Sequence, residues 1–138
     1  MSMRTVKAKG IVKGYAEAES LVCKKAFSFL GDVDMDTGII IAKGHEHERK
    51  TIAGKIMIYP ETKGSSGGCV VLMVLAKSGK QPAAIVLSKA ADTNIVEGAI
   101  LAGIPLVCEP ESDLIAEIPN GMKVAVDGNK GEVIWDEK

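Results

Sequence analysis

The hydrophobic pattern in the middle of the chain alternates short aliphatic runs with longer apolar segments. The short runs occupy residues 55–59, 83–87 and 105–108, and a proline stands within or beside each of them. Brief runs that are apolar at nearly every position are typical of strands buried on both faces of a parallel sheet. We therefore predict three central strands in this part of the chain.

Two helices are predicted between these strands. Residues 69–77 form a run without a helix breaker that is apolar on nearly every face, so this helix is expected to be buried rather than amphipathic. Gly79 marks its end. Asn94 and Glu97 fit a capping box that starts a second helix, which Gly103 ends. This alternation of strands and helices implies a parallel sheet with right-handed crossovers.

The two ends of the chain have a β-type pattern. Residues 6–22 contain two β-like stretches around the turn signal at residues 13–14, and residues 39–41 form a short strand candidate. Near the C-terminus, residues 122–126 and 132–135 flank a segment rich in Gly, Asp and Asn. Such a segment between two apolar stretches predicts a closing hairpin.

Composition and charge narrow the class of protein. The chain has 138 residues, 46% of them hydrophobic and 25% charged, which suits one folded domain spanning residues 1–138. We predict an α/β fold in which central parallel strands and helices are flanked by β hairpins. The net charge of −1 leaves no electrostatic footprint for a nucleic acid. No run is long enough to span a membrane, and the N-terminus lacks the apolar region of a signal peptide.

The cysteines indicate the compartment. The sequence holds Cys23, Cys69 and Cys108, and none of them forms a Cys-x-x-Cys pair. Cys69 and Cys108 are expected to be small core residues, although Cys69 also stands at a helix N-terminus, where a thiol pKa can be lowered. Reduced thiols of this kind predict a cytoplasmic protein.

The strongest candidate for chemistry is a glycine- and serine-rich turn between a strand and a helix. It consists of Lys63, Gly64, Ser65, Ser66 and Gly67. The first N–H groups of a helix have no partner within the helix and lie at the positive end of its dipole, so this turn could bind an anionic group or stabilise an oxyanion. The spacing is not that of a P-loop. The alternative is structural, with Ser66 as the helix N-cap and the glycines only shaping the turn.

Ser65 does not have the surroundings of an acyl-transfer nucleophile. Such a serine needs a base, usually a histidine, and a group that orients the base. The only histidines, His45 and His47, lie in the charged segment 43–50. If Ser65 accepted a proton instead, it would need strong stabilisation from cations and N–H dipoles. The turn would supply part of that stabilisation and a partner the rest.

Two possible metal sites are weaker than their structural alternatives. His45 and His47 could share one face of a strand, yet segment 43–50 is more simply an exposed, charged loop. The aspartates at positions 32, 34 and 36 resemble the start of a calcium loop, but Lys43 stands where that loop needs a glutamate. We therefore predict no metal ion in this chain.

An ordered set of short segments resembles the aconitase X swivel domain family. The resemblance extends over nearly the whole chain and includes residues 11–14, 16–17, 27–34, 37–38, 53–56, 63–66, 98–100 and 102–105. The chain departs from the family pattern in two places: Asp32 replaces a second glycine, and Gly67, Gly68 and Cys69 replace its usual continuation of the turn. The additional glycines leave the anion-binding capacity of the turn intact.

This resemblance implies a swivelling β/β/α fold and a role as the small subunit of a two-subunit hydro-lyase. It implies a large subunit that carries most of the substrate site and an iron-sulfur or iron centre, and it makes Ser65 the general base. The implied reaction is dehydration of (R)-5-phosphomevalonate in an archaeal mevalonate route to isoprenoids, or of cis-3-hydroxy-L-proline in bacteria. The isolated chain is then expected to be inactive.

Non-catalytic roles are the remaining alternatives. Swivelling domains also serve as phosphohistidine carriers, but a carrier needs a histidine at the start of the helix, and this chain has serine there. The chain could also be an independent binder of a small anion, using the serine turn as a cradle. A subunit should co-purify with a much larger protein, whereas an independent binder need not.

Overall fold

A computed structural model describes residues 2–63 and 68–137 of the chain. Within these ranges eight strands form one continuous order of pairing, β1-β8-β7-β3-β4-β5-β6-β2. The strands are β1 (Met3–Lys7), β2 (Lys9–Val12), β3 (Tyr15–Val22), β4 (Ile56–Tyr59), β5 (Ala84–Leu87), β6 (Leu106–Cys108), β7 (Lys123–Asp127) and β8 (Glu132–Asp136). The helices are α1 (Phe29–Asp32), α2 (Gly68–Lys77), α3 (Thr93–Ala102) and α4 (Leu114–Glu117).

The central strands confirm the predicted parallel unit. Strands β3, β4, β5 and β6 pair in parallel, and every residue of β4, β5 and β6 is buried. Helix α2 connects β4 to β5, and α3 connects β5 to β6. Apolar strands of three or four residues, buried on both faces, are the pattern that indicated this arrangement in the sequence.

The predicted C-terminal hairpin is also present, as β7 pairs with β8 in antiparallel register from Val124 opposite Trp135 to Asp127 opposite Glu132. At the N-terminal end β2 and β3 form on either side of residues 13–14 as predicted, β1 precedes them, and these three strands do not pair with each other. Strand β2 lies beside β6, whereas β3 lies between β4 and β7.

The two edges of the sheet are joined by a single residue. Ala8 alone separates β1 from β2, which are the first and last strands of the pairing order. The sheet must therefore curve until these edges come together. Gly10 and Gly128 allow this closure, because a Cβ on Gly10 would overlap the Gly128 carbonyl oxygen and one on Gly128 would overlap that of Val12.

The core is divided by the sheet into two apolar clusters. One cluster joins α2 and α3 to the aromatic side chains of Phe27, Phe29 and Tyr59. The other lies on the opposite face, where Trp135 packs with side chains from α4 and the C-terminal hairpin. Helices α2 and α3 contact closely at Gly98, where an added Cβ would lie 2.9 Å from the Cα of Cys69. Gly98 thus sets the distance between the two helices.

Three local predictions were wrong. Helix α2 is not buried all round, since Val70 is 57% exposed and Met73 43% exposed. Residues 39–41 form only isolated bridges, with Ile39 opposite Thr51 and Ile40 opposite Val33. A run of isoleucines has the right propensity for a strand but finds no continuous partner strand here.

The third error concerns the start of α3. Asp92, rather than Asn94, is its N-cap, and the Asp92 side chain accepts a hydrogen bond from the backbone N–H of Ile95. Both residue types are good caps, so the sequence pattern did not distinguish between them. Gly103 ends the helix as predicted, in the left-handed conformation at φ 71°.

In the part of the chain that the structure describes, no helix is both long enough and apolar enough to cross a membrane.

Candidate functional site

The stem of the serine turn is held by backbone pairing with Phe27. The N–H of Phe27 donates to the carbonyl of Glu61 at 3.1 Å, and the N–H of Lys63 donates to the carbonyl of Phe27 at 2.8 Å. Phe27 itself is fully buried. Lys63 is therefore fixed at the end of the segment that follows β4, while Gly64, Ser65, Ser66 and Gly67 lie outside the described residues.

The far side of the turn is the N-terminus of α2, which begins at Gly68. The backbone N–H of Cys69 donates to Oδ1 of Asn94 at 2.9 Å. Asn94 was predicted to cap its own helix and instead satisfies a donor at the start of the neighbouring one. This contact joins α3 to the end of α2 that carries the turn, and it links residues 25 positions apart in the sequence.

Lys63 brings a cation to the site, and Asp32 lies beside it. Nζ of Lys63 is 3.7 Å from Oδ2 of Asp32, which also accepts a hydrogen bond from the N–H of Ser28 at 2.9 Å. The Asp32 side chain is largely buried, whereas that of Lys63 is 58% exposed. The lysine ammonium is thus loosely paired and open to solvent, so it can also contact an anion.

The charged loop is more firmly attached to the fold than predicted. His47 is buried, and its Nε2 lies 2.6 Å from the carbonyl oxygen of Val22. Oε2 of Glu46 accepts a hydrogen bond from the N–H of Lys24 at 2.6 Å. The prediction of an exposed loop is therefore wrong for His47, whose ring is held inside the fold by its contact with a strand carbonyl.

His45 lies on the same side of the molecule as Lys63. Its ring meets that of Phe27 edge-on, with the ring centroids 5.7 Å apart. Partial burial lowers the pKa of His45, and the charges of Glu46, Asp32 and Lys63 also act on the ring. The sequence did not reveal this arrangement, since only the fold brings His45 and Lys63 against the same residue, Phe27.

Burial makes Cys23 an inert thiol. It is fully buried, and burial followed by the charges of Glu46 and Asp32 raises its pKa to about 12. The reactive form of a cysteine is the thiolate, so the Cys23 thiol stays protonated and unreactive near neutral pH. We expect Cys23 to resist a disulfide reagent such as Ellman's reagent in the native chain and to react once urea unfolds it. Mass spectrometry of the labelled peptides would check this, and rapid native labelling would contradict it.

An apolar groove of about 460 Å³ lies on the outer face of α2 and α3. Its lining includes Val70, Met73 and Leu101, with Lys77 as the charged member. Such a surface does not suit a small anion, so the groove is separate from the candidate site in its chemistry. Among residues 2–63 and 68–137, no group of three or more His, Cys, Asp or Glu side chains is arranged to hold a metal ion.

The chain resembles known proteins over nearly its whole length. Residues 5–135 match the model of the aconitase X swivel domain. The chain is 46% identical over 128 residues to the phosphomevalonate dehydratase small subunit of Pyrococcus furiosus, which covers 93% of this chain and 92% of that one. It is 41% identical to the subunit of the same name from Thermococcus kodakarensis, with 93% of each chain covered.

The fold has an equally close counterpart among solved structures. The crystal structure of aconitase X from Thermococcus kodakaraensis in its holo-form superposes with a TM-score of 0.87 at 40% identity, covering 94% of this chain and 96% of that one. Sequence and fold therefore agree over almost the full length of the chain, and both indicate the same family. The chain belongs to the aconitase X swivel domain family.

Proposed function

We propose that this chain is the small subunit of a two-subunit hydro-lyase of the aconitase X kind, acting on (R)-5-phosphomevalonate. The observation that carries this proposal is the 46% identity, over nearly all of both chains, to a phosphomevalonate dehydratase small subunit. The partner is a large subunit that holds most of the substrate site. The three free cysteines fit a reducing compartment, and we place the complex in the cytoplasm.

The contribution of this chain is the serine turn, with Ser65 as the proton acceptor. Dehydration requires removal of a proton from a carbon next to the one that loses its hydroxyl group. A serine hydroxyl is a weak base, so it can act only where positive charge and N–H dipoles stabilise its deprotonated form. The N-terminus of α2 and the ammonium group of Lys63 would supply both in this proposal.

Gly64, Ser66 and Gly67 complete the proposed anion site. Their backbone N–H groups would bind an oxygen of the substrate, and glycine allows a close approach because it has no side chain. This role suits a substrate that carries a carboxylate and a phosphate. Lys63 would contact the same anion from the stem of the turn, since its side chain is exposed.

An iron-sulfur or iron centre belongs, in this proposal, to the large subunit. The described residues of this chain offer no set of ligands for one. When bound, such a centre would act as a Lewis acid on the departing hydroxyl group. The residues of this chain would then bind the anion and accept the proton from the opposite side of the cleft.

Two alternatives remain distinguishable. A small subunit of cis-3-hydroxy-L-proline dehydratase would use the same turn on a substrate without phosphate. A non-catalytic anion-binding module would need no large subunit. The sequence identity to two phosphomevalonate dehydratase small subunits favours the phosphomevalonate substrate over both alternatives.

Partner dependence is the test of this function. We expect the purified 14.5 kDa chain to show no dehydration of (R)-5-phosphomevalonate and to give turnover after it is mixed with its large subunit. Formation of the dehydrated product can be followed by mass spectrometry, with cis-3-hydroxy-L-proline as the parallel substrate. Turnover by the isolated chain would contradict the subunit role, and turnover of the proline alone would reassign the substrate.

The same complex tests which surface faces the partner. Ligands of α/β sheets bind at the carboxyl ends of parallel strands, where the segment after β4 leads into the turn. Hydrogen exchange at residues 63–68 should therefore slow when the large subunit binds. Protection that spares residues 63–68 would show that the interface lies elsewhere.

A further inference from the structure

We infer that His45 binds the substrate, donating a hydrogen bond from Nε2–H to an anionic oxygen beside Lys63. The inference rests on the proposed function and adds a residue to its site. It assigns a role to a segment that the sequence pattern identified only as a charged loop.

The hydrogen bonding of the ring determines which nitrogen carries the proton. The backbone N–H of His47 donates to Nδ1 of His45 at 2.9 Å. A nitrogen that accepts a hydrogen bond carries no proton, so the neutral ring must hold its proton on Nε2. No described residue accepts a hydrogen bond from that Nε2–H, and the ring is only partly buried. The donor is therefore available to a ligand.

Phe27 is the residue that both the His45 ring and Lys63 contact. Its backbone pairs with Glu61 and Lys63, and its ring contacts the His45 ring with the two planes at 85°. Phe27 is fully buried, so neither contact can move far. His45 and the stem of the turn are consequently held against the same rigid residue.

Burial favours a neutral His45 ring that works together with Lys63. The groups that act on it are Glu46, His47, Asp32 and Lys63, and burial is the largest influence, lowering its pKa. A neutral ring does not repel the lysine ammonium. The lysine and the imidazole can therefore contact one anion together, one as a cation and the other as a hydrogen-bond donor.

Two substitutions separate binding from packing. His45→Phe keeps the aromatic contact with Phe27 and removes the donor, whereas His45→Gln places an amide N–H near the position of Nε2. Lys43→Ala is the control, because Lys43 is an exposed residue of the same loop outside the proposed machinery. Thermal unfolding of each variant would show that the fold is retained.

The experiment measures kcat and KM for (R)-5-phosphomevalonate with each variant assembled with the large subunit. A hydrogen bond to a charged group is worth enough that His45→Phe should raise KM about tenfold to one-hundredfold. His45→Gln should recover most of this loss, and Lys43→Ala should leave KM within about twofold. Nitrogen-15 NMR of the histidine ring should also report the Nε2–H tautomer in the isolated chain.

The possible outcomes are distinct. If the wild-type complex converts no phosphomevalonate, the proposed function fails and this inference fails with it. If the wild-type complex is active and His45→Phe has a normal KM, only the role of His45 is overturned. An Nδ1–H tautomer would also overturn it, because the free donor would then be absent.

Discussion

Replacing Ser65 with alanine should lower turnover of the assembled enzyme by about 10²–10⁴-fold, the usual contribution of a general base. The loss should appear in kcat, because alanine leaves the anion-binding backbone of the turn in place. Assembly and melting temperature should stay close to wild type, since only one hydroxyl group is removed. Turnover, melting temperature and complex formation should be measured on the same preparations.

Ser66→Ala is the matched control for Ser65→Ala, because both serines belong to the same turn. If Ser66 caps α2, its replacement should lower the free energy of unfolding by about 1 kcal/mol. Turnover should fall much less than it does in Ser65→Ala. Near-normal turnover for Ser65→Ala with a large loss for Ser66→Ala would move the base one residue along the chain. Full activity in both variants would leave the turn as an anion cradle without a base.

The largest effect on stability is expected for Gly128→Ala. A Cβ at this position would overlap the carbonyl oxygen of Val12, where backbone packs directly on backbone. The N–H of Gly128 also donates to the carbonyl of Gly14 at 2.7 Å, so the turn cannot move away without losing this bond. We expect a loss of about 3 kcal/mol, at the upper end for overpacking, and a melting temperature about 10 °C lower.

Asn129→Ala in the same turn is the comparison for Gly128→Ala. Asn129 is exposed, and its backbone N–H bonds Oδ1 of Asp127 at 2.9 Å, a contact that alanine retains. The free energy of unfolding of the Asn129→Ala variant should differ from that of the wild type by no more than about 0.5 kcal/mol. Urea unfolding of both variants would measure the difference. Equal stabilities would mean that the contact with Val12 is not tight in solution.

The sequence by itself determined the parallel centre of the fold. Strands β4, β5 and β6 are short runs that are apolar at every position, and α2 and α3 lie between them. Such runs need burial on both faces, which only a sheet covered by other elements provides. The C-terminal hairpin could also be predicted from the sequence, because its turn residues and its two strands are close together in the chain. The family resemblance, too, came from ordered local segments.

The tertiary structure alone decided how distant parts of the chain meet. Nothing in residues 3–12 shows that β1 and β2 pair at opposite edges of the sheet, because that choice depends on sheet curvature and on glycines more than 100 positions away. Asn94 has the local signature of a cap, yet its side-chain Oδ1 accepts a hydrogen bond from the backbone N–H of Cys69 on another helix. In the sequence His45 is one polar residue among many, and only the fold brings it and Lys63 against the same phenylalanine, Phe27. The local sequence pattern indicates which residues need burial or a particular backbone conformation. Contacts between distant segments depend instead on shape and close packing across the whole fold.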